Sequence, residues 1–230
     1  FKKGREILDN IILKEPNNNR AKFNLGIYEM MAGNNVRGHK YLDFGREEYV
    51  FGNKFLETDK PMWQKERNAT VLLNLEGGLG DQIHAIRYVK NIVEYGNRVI
   101  VCGSPELASL LHRVNGVSAY VHHGNSAIGI HFDFWTPSMS IPVILDLEFS
   151  DLCGESYIKN FKTGNKIGVK WAGNPKFEHE QHRLFNEKLM WDAVEGFDCI
   201  SLQKEGHTGP EWMEKPSLET WENTHEAISQ

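Results

Sequence analysis

Hydrophobic positions in the first fifty residues recur at helical spacing. Ile7, Leu8, Ile11 and Ile12 predict a helix over residues 1–16, ended by Pro16-Asn17-Asn18-Asn19. Phe23, Leu25, Ile27, Tyr28, Met30 and Met31 predict a second helix over residues 20–32, which Gly33-Asn34-Asn35 stops. A third runs over residues 36–49. Residues 50–69 are polar and irregular, and Pro61 and Trp63 mark a linker whose tryptophan docks onto a neighbour. From Thr70 the pattern changes. Short apolar runs at Val71–Leu75, Arg98–Cys102, Ala119–His122 and His131–Trp135 predict strands. Helical patterns at 82–95, 107–114 and 138–147 separate or follow them. Such alternation implies an α/β domain with a doubly wound, parallel, Rossmann-like sheet. Ile167–Trp171 opens a further unit, continued by a helix over 185–194 and a strand over 199–203. The predicted domains are helices over 1–50, a linker over 51–69, a Rossmann-like domain over 70–160 and a partial second one over 161–230.

The richest stretch is Leu75-Glu76-Gly77-Gly78-Leu79-Gly80-Asp81-Gln82-Ile83-His84. Its glycines permit positive φ and close backbone approach after the first strand. Asp81 falls where a helix begins, either capping it or facing a ligand at the C-terminal edge of the sheet. His84, one turn later, faces the same cleft or lies on the helix surface. The dinucleotide fingerprint is not met. Ile83 stands where Gly or Ala is required, and the next strand ends in Cys102-Gly103-Ser104, with no acidic residue for a ribose. No Gly-Lys-Ser/Thr of a phosphate-binding P-loop follows the turn. His179-Glu180-Gln181-His182 has an i, i+3 histidine pair but no third ligand at a recognisable spacing, so no metal is expected.

Composition narrows the partners. A net charge of −5 with pI near 6.1 over 230 residues argues against nucleic acid or an anionic membrane as the main partner. No apolar run is long enough for a membrane span. Cys102, Cys153 and Cys199 are far apart and odd in number, which fits a reducing cytoplasm. The chain begins at Phe1, so a fragment, a processed form or a trimmed protein is expected.

Two resemblances go further. Phe23-Asn24-Leu25-Gly26, Gly33 and Gly38 resemble a tetratricopeptide repeat, with Gly4, Leu8, Ile11 and Pro16 in the phase of a preceding one. Such helices would offer a surface to a protein partner. Glu76-Gly77-Gly78-Leu79-Gly80-Asp81-Gln82-Ile83 with Arg87-Tyr88-Val89 resembles a segment of tetratricopeptide-linked glycosyltransferases of the GT-B fold, relatives of the ADP-heptose transferases of glycosyltransferase family 9. Pro137–Pro142, Gly168–Pro175, Ser201–Lys204 and Thr220–Thr224 resemble later segments of that family, in order.

The resemblance implies sugar transfer from a nucleotide-sugar to an acceptor hydroxyl on a glycan or protein, with no cofactor and no obligate metal. It assigns Asp81 as general base and Gly77, Gly78, Gly80, Gln82 and His84 to acceptor or phosphate oxygens. It places Lys170, Asn174, Arg183, Gln203 and Lys204 beside the donor, where a lysine stabilises the departing diphosphate. The family's donor-diphosphate loop has no counterpart before Gln230, so this chain alone is expected to be weakly active or inactive. The alternative from another class is a non-catalytic protein- or glycan-binding module.

Overall fold

The computed structural model describes residues 2–46, 56–123, 129–152, 154–158, 164–173, 185–204 and 209–228. The chain divides into two compact units, residues 1–159 and 160–230.

The first unit opens with three helices, α1 (Lys2–Lys14), α2 (Asn19–Met31) and α3 (Asn35–Leu42). Asn18 caps α2 by accepting from the Ala21 amide at 2.9 Å. The backbones of α2 and α3 touch at two glycines: a Cβ on Gly26 would meet the Gly38 carbonyl oxygen at 2.8 Å. Glu29, 1% exposed, gathers the three helices. It forms an ion pair with Arg5 at 2.8 Å and accepts from Asn34 Nδ2 at 2.7 Å, and Arg37 lies 3.4 Å away. The predicted third helix was longer. It ends at Leu42 in a 3-10 turn, Asp43–Gly45, and positions 47–50 lie outside the described residues.

A parallel four-stranded sheet forms the centre of this unit. Its strands are β1 (Thr70–Asn74), β2 (Arg98–Gly103), β3 (Val117–His122) and β4 (Phe134–Pro137), in the order β3-β2-β1-β4. Val71, Leu73, Val99 and Val101 are fully buried on one face. On the other, Leu72, Ile100, Cys102, Phe132 and Trp135 form a cluster covered by Leu56, Met62 and Ile130. Residues 56–69 therefore fold against the sheet. Met62 bridges Trp135 in parallel, the Trp63 amide donates to the Trp135 carbonyl at 2.8 Å, and the Trp63 ring meets Tyr95 edge-on at 5.4 Å. The docking expected of Trp63 is thus observed: its side chain is completely buried.

The predicted 82–95 helix begins earlier and is broken. It runs as α4 (Leu79–Ala85), a 3-10 turn Ile86–Tyr88, and α5 (Val89–Val93), with Ala85, Ile86, Tyr88, Val89 and Ile92 buried. α6 is a single turn, Ala108–Leu111, packed on β3. α7 (Ile141–Leu145) follows a 3-10 turn, Ser138–Ser140, with Pro142 in its first turn where a missing N–H costs nothing.

In the second unit β5 (Ile167–Val169) pairs in parallel with β6 (Cys199–Ser201), and α8 (Glu187–Val194) lies between them in sequence. Val169, Trp171, Ala172, Cys199 and Met213 form its core, with Trp171 and Trp191 edge-to-face at 4.7 Å. α9 (Trp221–Ile228) closes the described chain and buries Ala227 beside Ile200 and Leu218.

Candidate functional site at the carboxyl edge of the first sheet

The strand order places a topological switch point between β1 and β4. From β1 the chain steps outward to β2 and β3, then returns to the other side as β4. Crevices at the carboxyl ends of such strands are where open parallel sheets bind ligands. The Gly-rich turn leaves β1 at this position, and Ser138–Ser140 leaves β4.

Gly78 is the N-cap of α4, and Asp81 is the third residue inside the helix. The reading of Asp81 as N-cap is corrected accordingly. Its carboxylate reaches back, and Oδ2 accepts the Gly78 amide at 2.9 Å. The side chain is exposed. Gly77 holds φ at +78°, and a Cβ there would stand 2.7 Å from Asp81 Oδ2. Gly80 meets nothing within 4 Å and keeps an open surface. The carboxylate occupies part of the space an anion would take above this turn.

Gln82 is 2% exposed and faces inward. Its Nε2 donates to the Gly77 carbonyl at 3.2 Å and to Ser104 Oγ at 2.8 Å, while Oε1 accepts the Ser104 amide at 2.9 Å. Gln82 thus straps the first βα turn to the second, which departs from its expected role in contacting acceptor oxygens. His84 is exposed on α4. Partial covering, then the positive charges of Arg87 and His39, lower its pKa, with Asp81 opposing.

Glu76, Arg46, His39 and His123 meet at this edge without a site role read from the sequence. Glu76, 1% exposed, immediately precedes Gly77. Its Oε1 and Oε2 accept from Arg46 Nε and Nη2 at 2.7 and 2.8 Å, and Oε2 also takes the Met139 amide at 3.0 Å. The Glu76 amide donates to Ser138 Oγ at 3.2 Å. Arg46 also pairs with Asp43, whose Oδ1 accepts from Ser140 Oγ at 3.2 Å. Burial opposes the Arg46 charge, but Glu76 and then Asp43 outweigh it and raise the guanidinium pKa further. His39, buried on α3, is pushed down by desolvation, with the Asn35 carbonyl and Asp43 opposing. His123, just past β3, has a buried Nε2 without a hydrogen-bond partner. Burial lowers its pKa against the pull of the Leu75 and Cys102 carbonyls and Glu76. Arg46, His39 and His123 lie far from the Gly-rich turn in sequence, so only the fold reveals them.

The second unit holds the other expected site residues. Lys170 directly follows β5 and Lys204 lies just beyond β6; both are exposed. Gln203 Oε1 accepts the Ala172 amide at 3.0 Å and so braces the turn after β5. Asn174 and Arg183, like the His179–His182 pair, lie outside the described residues. Among the described residues no group of three or more His, Cys, Asp or Glu side chains is arranged to hold a metal. No described helix is long and apolar enough to cross a membrane.

A separate groove of about 640 Å³ opens in the first unit, beside the residues leading into β3. It is lined by Arg87, Asn91, Asn115, Gly116 and Tyr157 among others, and contains none of the expected site residues. The Arg87 guanidinium lies 5.1 Å from the centre of the Tyr157 ring. Compared with protein-family models, curated proteins and solved structures, the chain finds no match.

Proposed function

We propose that the protein is a nucleotide-sugar-dependent glycosyltransferase, with the first unit on the acceptor side and the second on the donor side. The observation that carries this reading is the placement of Asp81. An exposed carboxylate stands at the carboxyl end of β1, beside the switch point, with Oδ2 held by the Gly78 amide. Among the described residues Oδ1 accepts no hydrogen bond and is left to take a proton.

In the proposed reaction the acceptor hydroxyl gives its proton to Asp81 as its oxygen bonds to the anomeric carbon. The bond from that carbon to the nucleoside diphosphate breaks, and the diphosphate leaves with the electron pair. The resemblance assigns Lys170 and Lys204, both at carboxyl ends of strands in the second unit, to that diphosphate, whose charge a lysine stabilises. Gly77 and Gly80 keep the turn open to the acceptor. The chemistry needs no cofactor. The buried thiols Cys102 and Cys199 are unpaired, in keeping with a cytoplasmic protein. The contact between α2 and α3 at Gly26 and Gly38 supports the tetratricopeptide reading of the helices and a protein partner for them.

The test is a titration of the isotope-labelled chain with UDP, GDP, ADP and CDP. Weak but saturable shifts at amides near Lys170 and Lys204 are expected with at least one of them, in keeping with the weak activity expected of this chain. No response to any of the four would overturn the donor assignment. The second reading, a binding module without chemistry, is favoured by one observation: Asp81 already occupies the Gly78 amide, so the turn has one donor fewer for an anion. Saturable binding of glycans with no binding of nucleotides would select it.

A further inference from the structure

The residue before the Gly-rich turn and the residues after β4 are joined through one side chain that belongs to neither. Arg46 follows the 3-10 turn at the end of the helical segment, is 3% exposed, and presents a two-pronged contact to Glu76. The carboxylate it holds accepts the Met139 amide, while the backbone of Glu76 donates to Ser138. Asp43, one turn before Arg46, ties the same guanidinium to Ser140. Both lips of the crevice are therefore pinned from the helical segment, on either side of the switch point.

We propose that Arg46 is a positioning residue for this crevice: by holding the Glu76 carboxylate it sets the spacing between the Gly77–Asp81 turn and the Ser138–Ser140 turn. This deepens the acceptor-side reading and rests on it. The planar guanidinium matters because only a fork can hold both carboxylate oxygens while leaving Oε2 oriented toward the Met139 amide. The helices over residues 2–46 then serve as one wall of the site, in addition to any surface they offer a partner.

The experiment is amide hydrogen exchange by NMR on the full 230-residue chain. It compares the parent with Arg46→Lys and with the double variant Arg46→Met/Glu76→Met. The double variant replaces a buried ion pair by apolar chains of similar length, a change that commonly preserves stability. It leaves the Met139 amide without its acceptor. Exchange at Glu76, Met139 and Gln82 is expected to accelerate at least tenfold in both variants, with Leu72 and Val101 unchanged. The pH-dependent shift of the Gly78 amide, which reports the Asp81 Oδ2 contact, is expected to shrink by at least half.

Parent-like exchange at Glu76, Met139 and Gln82 in the double variant would overturn the proposal. So would uniform acceleration in Arg46→Lys that includes Leu72 and Val101, since Arg46 would then serve stability alone. The measurement needs no ligand. Failure of nucleotide binding therefore leaves it intact, and its own failure leaves the nucleotide titration to stand or fall separately.

Discussion

Asp81 fills the space that any side chain at Gly77 would need. A Cβ added to Gly77 would stand 2.7 Å from Asp81 Oδ2 and 2.8 Å from Asp81 Cβ. The glycine also sits at φ +78°, where an L-residue pays about 1–2 kcal/mol. Gly77→Ala is therefore expected to destabilise by at least about 1–2 kcal/mol in denaturant titration, and to displace the carboxylate from the Gly78 amide. Gly80→Ala is the contrast. Its Cβ would meet nothing, and it sits in the first turn of α4, so it should be neutral or stabilise by up to about 1 kcal/mol. Equal losses at the two positions would show that the carboxylate is not what constrains the turn.

Gln82 gives a second prediction. Its amide makes three hydrogen bonds between the turns after β1 and β2, and the side chain is 2% exposed. Gln82→Leu keeps the volume and strands the part-buried Ser104 amide, so a loss of about 1–3 kcal/mol is expected. Gln82→Glu keeps the acceptor for that amide but loses the donor to Gly77. Measured by thermal unfolding, a Leu variant as stable as the parent would contradict the strap.

How much of this was legible in the sequence depends on the range of the interaction. β1 and β2 read clearly because strands buried on both faces are continuous apolar runs. β4 begins about three residues later than its apolar run predicts, because Phe132 packs over the sheet face. The helix after the Gly-rich turn starts at Leu79 because Gly78 supplies the cap. No polar signal marks that boundary, so the sequence offers Asp81 as one candidate for the cap. The break at Ile86–Tyr88 carries neither Gly nor Pro, and nothing local announces it. The Arg46–Glu76 pair spans 30 residues and has no periodic signature; it exists only once the helices dock on the sheet. Asp81 was legible from its motif, whereas the network that holds the residue before its turn was not.

That docking is itself testable. The first turn of α3 has no side-chain cap of its own, and Glu148 supplies one from 113 residues away, accepting the Asn35 amide at 2.8 Å. Asn35 Nδ2 donates to the Leu147 carbonyl at 2.6 Å beside it. Glu148→Ala removes the acceptor from a helix N-terminus, a change of about 0.5–2 kcal/mol. Hydrogen exchange should rise in α3 more than in β1 or β2. Glu148→Gln should recover part of the loss through its remaining oxygen. Exchange unchanged in α3 would mean the helices hold to the sheet without this contact.

The three lowered histidines set the last prediction. His39, His84 and His123 all have folded-state pKa values below 6.5, with burial as the leading cause. As pH falls through about 6.5 the unfolded chain takes up protons first, because its histidines keep their ordinary affinity. Stability contributed by the neutral imidazoles is thus fully present above that pH. It is lost as pH falls from there through the folded-state values. The melting temperature should drop between pH 7 and pH 5 as a result. His39 dominates the argument structurally: it is 8% exposed, its Nδ1 lies 3.0 Å from the Asn35 carbonyl, and Arg46 opposes its charge while Asp43 favours it. His39→Gln has no proton to gain and should flatten the pH dependence, even if it lowers the melting temperature at pH 7. A variant whose melting temperature falls with pH as steeply as the parent's would remove His39 from this account and leave His84 and His123 to be tested in the same way.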